Sequence, residues 1–195
     1  MDSKIVTKFE HFYEYSKRLQ EALDNADWSY VDNLSHAILE NWRNGKRVFL
    51  CGNGGSAGNA IHLANDFLYG IAKKTGGGLK VMALTANTSV ITCLANDVGY
   101  EHIFSEQLAV QAQSGDILIA LSGSGNSPNI VRVIEQAKLM GVTSYAILGF
   151  DGGKCKLLVD FPIHFSVFDM QISEDLQIIV GHMLMQWLSK NRLAD

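Results

Sequence analysis

A chain of 195 residues with 47% hydrophobic and 18% charged side chains has the size and composition of one globular domain, which excludes an intrinsically disordered chain. Its net charge of −4 argues against an extended basic surface for nucleic acid. The three cysteines, Cys51, Cys93 and Cys155, stand at unrelated spacings and indicate neither a disulfide framework nor a zinc knuckle. Met1-Asp2-Ser3-Lys4 opens a polar segment rather than a secretory leader, and no apolar run approaches the roughly 18–20 residues that span a bilayer. The expectation is a reduced, cytoplasmic protein without a membrane partner.

From about residue 4 to 44 there is neither Gly nor Pro, and apolar residues recur at helical spacing: Phe9, Phe12, Leu19, Leu23, then Val31, Leu34, Ile38, Trp42. Asn25-Ala26-Asp27 interrupts the pattern, so residues 1–45 are expected to form a helical hairpin. The remainder, 46–195, alternates strand and helix within one domain. Strands are predicted at 46–51, 80–84, 116–121, 143–148 and 161–166. Helices are predicted at 56–70, 88–97, 101–113, 127–140 and about 172–190. Several strands are continuous apolar runs, as a parallel sheet covered on both faces requires. The fold class is α/β, with a five-stranded parallel sheet in flavodoxin-like order, and any ligand is expected outside the carboxyl ends of its strands. Thr75-Gly76-Gly77-Gly78 and Asp151-Gly152-Gly153-Lys154 read as connectors.

Two loops stand at such ends. Cys51-Gly52-Asn53-Gly54-Gly55-Ser56 follows Arg47-Val48-Phe49-Leu50, and Ser122-Gly123-Ser124-Gly125-Asn126-Ser127 follows Ile117-Leu118-Ile119-Ala120-Leu121. Each is small, hydroxyl-bearing and glycine-rich, and each precedes a helical segment, which is how a chain offers N–H groups and hydroxyls to an anion. The second loop brings Ser122, Ser124 and Ser127 within six residues. Ser127 suits an N-cap and Pro128 the first helical position, but capping needs one hydroxyl, not three. The P-loop lysine and the G-x-G-x-x-G order are both absent, so the ligand is expected to be a phosphate monoester rather than a triphosphate or a dinucleotide.

Cys51-Gly52-Asn53-Gly54-Gly55-Ser56-Ala57, Ala95-Asn96-Asp97-Val98-Gly99-Tyr100 and Ser124-Gly125-Asn126-Ser127-Pro128-Asn129 together resemble the sugar isomerase (SIS) domain, and within it the phosphoheptose isomerases, over about residues 5–190. That family interconverts sedoheptulose 7-phosphate and D-glycero-D-manno-heptose 7-phosphate, a step toward nucleotide-activated heptose for surface polysaccharide such as lipopolysaccharide. The resemblance implies that Asn53, Gly54 and Ser56 line the sugar site, that Ser122, Ser124 and Ser127 hold the phosphate, and that Asn96 and Asp97 add polar contacts. It also implies a homotetramer whose sites form at subunit interfaces, with the N-terminal helices packed between protomers.

An aldose–ketose isomerisation passes through an enediol and needs a base for a carbon-bound proton and an acid or electrophile at the neighbouring oxygen. His62 and Asp66 stand four apart on one helix face. Glu174 and His182 stand eight apart on the last helix, on roughly one side and about two turns distant. The four look like a two-histidine, two-carboxylate cluster for acid–base work or a metal such as zinc. By match to the family, Asp66 is expected as base and His182 as acid, with the two roles open to exchange. His11, His36, His102 and His164 have no such match and read as structural or surface residues.

The chain departs from the family pattern at four of these places. Asp66 stands where the family has Glu, Glu174 where it has Gln, Gln177 where it has a second histidine, and Gly123 removes a hydroxyl from the phosphate loop. Two other readings remain open on the sequence: an isomerase of a different sugar phosphate, and a non-catalytic SIS protein that binds a sugar phosphate or the bacterial replication initiator.

Overall fold

The computed structural model describes residues 8–192. Residues 1–7 and 193–195, which the expected hairpin and the single domain over 1–195 include, lie outside the described residues. The chain begins with α1 (Lys8–Asp24) and α2 (Ser29–Arg43). The break falls at the expected Asn25-Ala26-Asp27, where the Asp27 carboxylate accepts the Ser29 N–H at 3.0 Å and starts the second helix.

Five strands follow: β1 (Arg47–Gly52), β2 (Lys80–Ala83), β3 (Ile117–Ser122), β4 (Thr143–Leu148) and β5 (Phe161–His164). They form one parallel sheet in the order β2-β1-β3-β4-β5, the expected topology. The helices of the crossovers are α3 (Gly55–Asn65), α4 (Ala72–Thr75), α5 (Thr88–Asp97), α6 (Ser105–Gln111), α7 (Pro128–Met140) and α8 (Gly153–Leu158), and α9 (Met170–Asn191) follows β5.

Because successive strand residues point to opposite faces, each apolar strand feeds two cores. Val48, Leu50, Ile119, Leu121 and Ile147 pack with Leu34 and Ile38 of α2, Leu63 of α3 and Leu176, Val180 and Leu184 of α9. Phe49, Cys51, Leu118, Ala120 and Leu148 pack with Leu108 of α6 and Ile130, Val133 and Ile134 of α7. So α3 and α7 lie on opposite faces, although the strands that launch them, β1 and β3, are neighbours. The carboxyl ends of these two strands are therefore the switch point of the sheet, and a crevice opens between them.

Three predicted elements differ from the structure. The helix expected over 56–70 is α-helical only to Asn65 and continues as a π-helical turn, Asp66–Gly70, in which the Ile71 N–H reaches back to the Asp66 carbonyl. The helix expected over 101–113 is a 3₁₀ turn, Tyr100–His102, followed by α6, and the chain bends between them to bury both Ile103 and Phe104. The connector at 151–154 leads straight into α8: Gly152 and Gly153 make the turn, and a six-residue helix is too short to show a period.

Candidate functional site

At the end of β1, Gly54 is the N-cap of α3. At the end of β3, the chain makes a tight serine–glycine turn into α7. Ser122 Oγ accepts the Gly125 N–H at 3.0 Å and Ser124 Oγ accepts the Asn126 N–H at 3.3 Å. Gly125 has φ +65°, and a Cβ there would lie 2.0 Å from the Gly152 carbonyl oxygen, so only glycine suits this corner. Ser127 occupies the N-cap position of α7, as expected, with Pro128 in its first turn. Its hydroxyl makes no capping bond, however, and lines the crevice instead.

Between the two loops lies a cavity of about 280 Å³, lined by Asn53, Gly54, Gly55 and Ser56 from one side and Ser122, Gly123, Ser124 and Ser127 from the other. The expected residues of both loops thus face one space. Met170 and Glu174 of α9 roof it. Among the described lining residues Glu174 alone carries a formal charge, so an anion placed here would meet neutral hydroxyls and the positive end of α7 rather than a side-chain cation. A larger cleft of about 530 Å³ lies between α1 and the segment before α9, but its lining arginine and histidine are already engaged. Arg18 Nη1 meets Asp169 Oδ2 at 2.6 Å, and His164 Nε2 donates to the Phe150 carbonyl at 3.0 Å.

Asn53 is held by a reciprocal amide pair. Its Nδ2 donates to Asn129 Oδ1 at 2.8 Å, and Asn129 Nδ2 donates to Asn53 Oδ1 at 2.8 Å. Asn129 is completely buried. The Tyr100 hydroxyl adds a third bond to Asn53 Oδ1 at 3.0 Å. This bridge locks the β1–α3 loop to the first turn of α7.

The ionisable cluster sits farther along α3 and α9. His62 Nε2 and His182 Nε2 are 2.9 Å apart, and Asp66 Oδ2 is 3.4 Å from the first and 3.5 Å from the second. His62 and His182 are partly exposed, while the Asp66 side chain is 16% exposed. The helices come this close because Gly181, beside His182, packs on Leu63, beside His62: a Cβ on Gly181 would lie 2.1 Å from Leu63 Cδ2. Three donor atoms, two imidazole nitrogens and one carboxylate oxygen, lie within 4.8 Å of one another. That donor set suits a zinc-type ion with three protein ligands and one open position.

Two of the expected site groups stand elsewhere. Glu174, expected as a fourth ligand, is not in the trio; its carboxylate lies against Gly55, where a Cβ would come within 2.4 Å of both oxygens. Eight residues along a helix are about 12 Å, which separates it from His182. Asn96 and Asp97 do not line the cavity: they end α5, where Asp97 accepts from Asn96 Nδ2 at 2.7 Å and from Cys93 Sγ at 3.4 Å. Those two bonds hold the Asp97 carboxyl below the usual carboxylate range. Within one chain, the Ala95–Tyr100 motif reaches the site through Tyr100.

The roles of Asn59, Gln177, Asn129 and Tyr100 were not read from the sequence. A signal for the first two is there: Gly55, Asn59, His62 and Asp66 follow at spacings of four, three and four, and Glu174, Gln177 and Gly181 at three and four. Two helices that carry such non-apolar stripes face one another along them.

A parallel sheet with two serine–glycine loops over its switch point, and a His–Asp–His trio on the helices beside them, defines an α/β domain with a ligand-sized crevice at the carboxyl ends of its strands. The match to the SIS domain family model covers residues 11–149. A phosphoheptose isomerase of Rhodospirillum rubrum is 43% identical over 154 residues, 79% of this chain and 81% of that protein. One of Clostridium acetobutylicum is 36% identical over 174 residues, 87% of each. The structure of phosphoheptose isomerase from Neisseria gonorrhoeae superposes with a TM-score of 0.84 at 29% identity, covering 93% of this chain and 96% of that one. The chain belongs to the SIS domain family, in its phosphoheptose isomerase branch, as its three motifs led us to expect.

Proposed function

We propose that this isomerase interconverts sedoheptulose 7-phosphate and D-glycero-D-manno-heptose 7-phosphate, the reaction class to which its relatives' names point. The observation that carries the reading is that α3 and α9 each contribute to both the serine-lined cavity and the His62–Asp66–His182 trio. The phosphate sits in the Ser122–Ser127 turn at the start of α7, where hydroxyls and N–H groups replace its hydration shell. The carbonyl end of the sugar extends along the groove between α3 and α9 toward the trio, so a long sugar phosphorylated at its far end fits the spacing.

There the Asp66 carboxylate takes the proton from C1 of the ketose while His182 gives one to the C2 oxygen, which yields the neutral enediol. Asp66 then delivers its proton to C2 while the histidine takes the proton of the C1 hydroxyl, the proton it gave remaining on the C2 oxygen, and the aldose results. Asn53, held by Asn129 and Tyr100, presents its amide to the sugar with little ordering left to be done. When a zinc ion is bound, His62, Asp66 and His182 would instead be its ligands, their lone pairs committed to the metal, and the chemistry the ion supplies is to polarise carbonyl and enediolate oxygens.

A homotetramer that completes its sites at subunit interfaces is part of the same proposal. It is supported by the exposed Ile61, Leu68, Tyr69 and Met183 on the helices of the trio, and it would bring Asn96 and Asp97 to a neighbouring site. The three cysteines are free, as in a reducing cytoplasm, and no helix among the described residues is long and apolar enough to cross a membrane. The product would supply heptose for surface polysaccharide.

Incubation of the purified protein with sedoheptulose 7-phosphate, with and without added zinc, should yield the aldose. His182→Ala and Asp66→Asn should each lower kcat by orders of magnitude. No aldose under either condition would remove the proposal, and turnover that survives both substitutions would remove the assigned roles.

A further inference from the structure

Gln177 has no polar partner in bulk water: it is fully buried in α9, and both ends of its amide are used. The direction of those bonds is fixed from outside the pair. The Glu174 main-chain carbonyl can only accept, so the group of Asn59 that lies 2.9 Å from it is the NH₂. The same Asn59 Nδ2 is 2.9 Å from Gln177, and the atom it meets must therefore be Oε1. This leaves the Gln177 NH₂ facing Ser56 Oγ at 3.0 Å. Ser56 is forced to accept, and its own proton must go elsewhere. Ser56 lines the cavity between the two loops, so the open side for that proton is the ligand.

We propose that Gln177 is a positioning residue that fixes the Ser56 hydroxyl as a hydrogen-bond donor to the sugar phosphate, through a relay of Glu174 carbonyl, Asn59, Gln177 and Ser56. The site thereby selects a ligand that presents an oxygen acceptor at this point. A hydroxyl free to turn would serve either a donor or an acceptor and would lose rotational freedom on binding. The proposal rests on the reading of the cavity as the phosphosugar site.

Gln177→Glu tests it because the two side chains have the same shape. An ionised carboxylate can still accept from Asn59, but at Ser56 it can only accept, so it turns the hydroxyl away from the cavity. The affinity for sedoheptulose 7-phosphate, measured by calorimetry, and KM should both worsen roughly tenfold, about the value of one directed hydrogen bond, while kcat changes far less. In a Ser56→Ala background the same substitution should have no further effect on affinity, since its target is gone. Gln177→Met, which keeps the length but cannot donate in any protonation state, should show the same loss and the same dependence on Ser56, and it is the deciding variant because a buried Glu that takes up a proton donates like the amide.

If wild type binds and turns over the sugar phosphate but the effects of Gln177→Met and Ser56→Ala multiply, or if Gln177→Met binds like wild type, the relay is wrong and the proposed function stands. If wild type does not bind the sugar phosphate at all, the reading of the cavity falls and the relay with it.

Discussion

His62 Nε2 and His182 Nε2 face each other at 2.9 Å across the α3–α9 contact, with Asp66 Oδ2 beside both. Two imidazole nitrogens at that distance cannot both point a proton at the other. Either one donates to the other's lone pair, or a cation takes the place between them.

The proposed metal site at this trio is tested by titration. Chelator-treated protein titrated with zinc should bind one ion per chain in a calorimeter and gain thermal stability by mass action. His62→Ala or His182→Ala should lower that affinity by more than the roughly 10–100-fold that loss of a mere outer-shell partner costs. Glu174→Gln should leave it nearly unchanged, because Glu174 lies against Gly55 and not in the trio. An affinity insensitive to both histidines, or as sensitive to Glu174, would show that the ion binds elsewhere.

The phosphate turn makes a separable prediction. Ser124→Ala and Ser127→Ala should each raise KM for the sugar phosphate several-fold with a smaller effect on kcat, since each removes one hydroxyl from a neutral anion site. Gly125→Ala should be far worse: its φ of +65° and the Gly152 carbonyl 2.0 Å from the new Cβ leave the turn nowhere to go. Kinetics and thermal melts of the three variants separate the two outcomes, and a Gly125→Ala protein with wild-type KM would contradict the turn's geometry.

The strands, their order and both loops were legible because long apolar runs and hydroxyl–glycine clusters announce themselves locally. His62 and His182 were legible for a different reason, their match to a known family; nothing local in Val180-Gly181-His182 says that α9 runs along α3. What stayed hidden depends on that crossing. Glu174 was grouped with His182 because eight residues return to one helix side, yet at about 1.5 Å per residue they are also well apart along the axis, and the axial distance decides. Gln177 drew notice only as a departure from the family, and its bonds to Asn59 and Ser56 exist only once the two helices meet. The π-helical turn at Asp66–Gly70 has no marker in the polarity pattern, which continues through it.

At the amino end, α1 is pinned to the start of α9: the Tyr15 hydroxyl donates to Asp175 Oδ2 at 2.5 Å, next to the Arg18–Asp169 pair. Burial first, and then the Asp175 carboxylate, push the Tyr15 phenol up to about 12. The unfolded chain loses that proton near pH 10 and the folded chain keeps it to about 12, so the contribution is complete below about pH 10 and is lost as pH rises through about 12. Urea midpoints measured across this window should fall more steeply for wild type than for Tyr15→Phe, and parallel curves would mean that the bond adds nothing to stability. The Tyr145 phenol, also raised, titrates in both proteins and cancels in the comparison.

Gly181 joins packing to chemistry. An alanine there should favour α9 by up to about 1 kcal/mol from helix propensity alone. Its methyl, however, would lie 2.1 Å from Leu63 Cδ2 and 2.9 Å from Cγ, and Leu63 is 1% exposed, with core on its other sides. Overpacking of this kind costs about 1–3 kcal/mol, so the helices separate rather than absorb it. Since Gly181 adjoins His182 and Leu63 adjoins His62, separation of the helices opens the trio directly. Gly181→Ala should therefore lower the melting temperature and weaken zinc affinity together. Gly181→Ala combined with Leu63→Ala should recover most of the affinity while remaining less stable than wild type, because the second change removes the obstacle and leaves part of its volume empty. If the single variant keeps wild-type zinc affinity despite a lower melting temperature, the close approach of α3 and α9 serves stability alone and does not set the spacing of the two histidines.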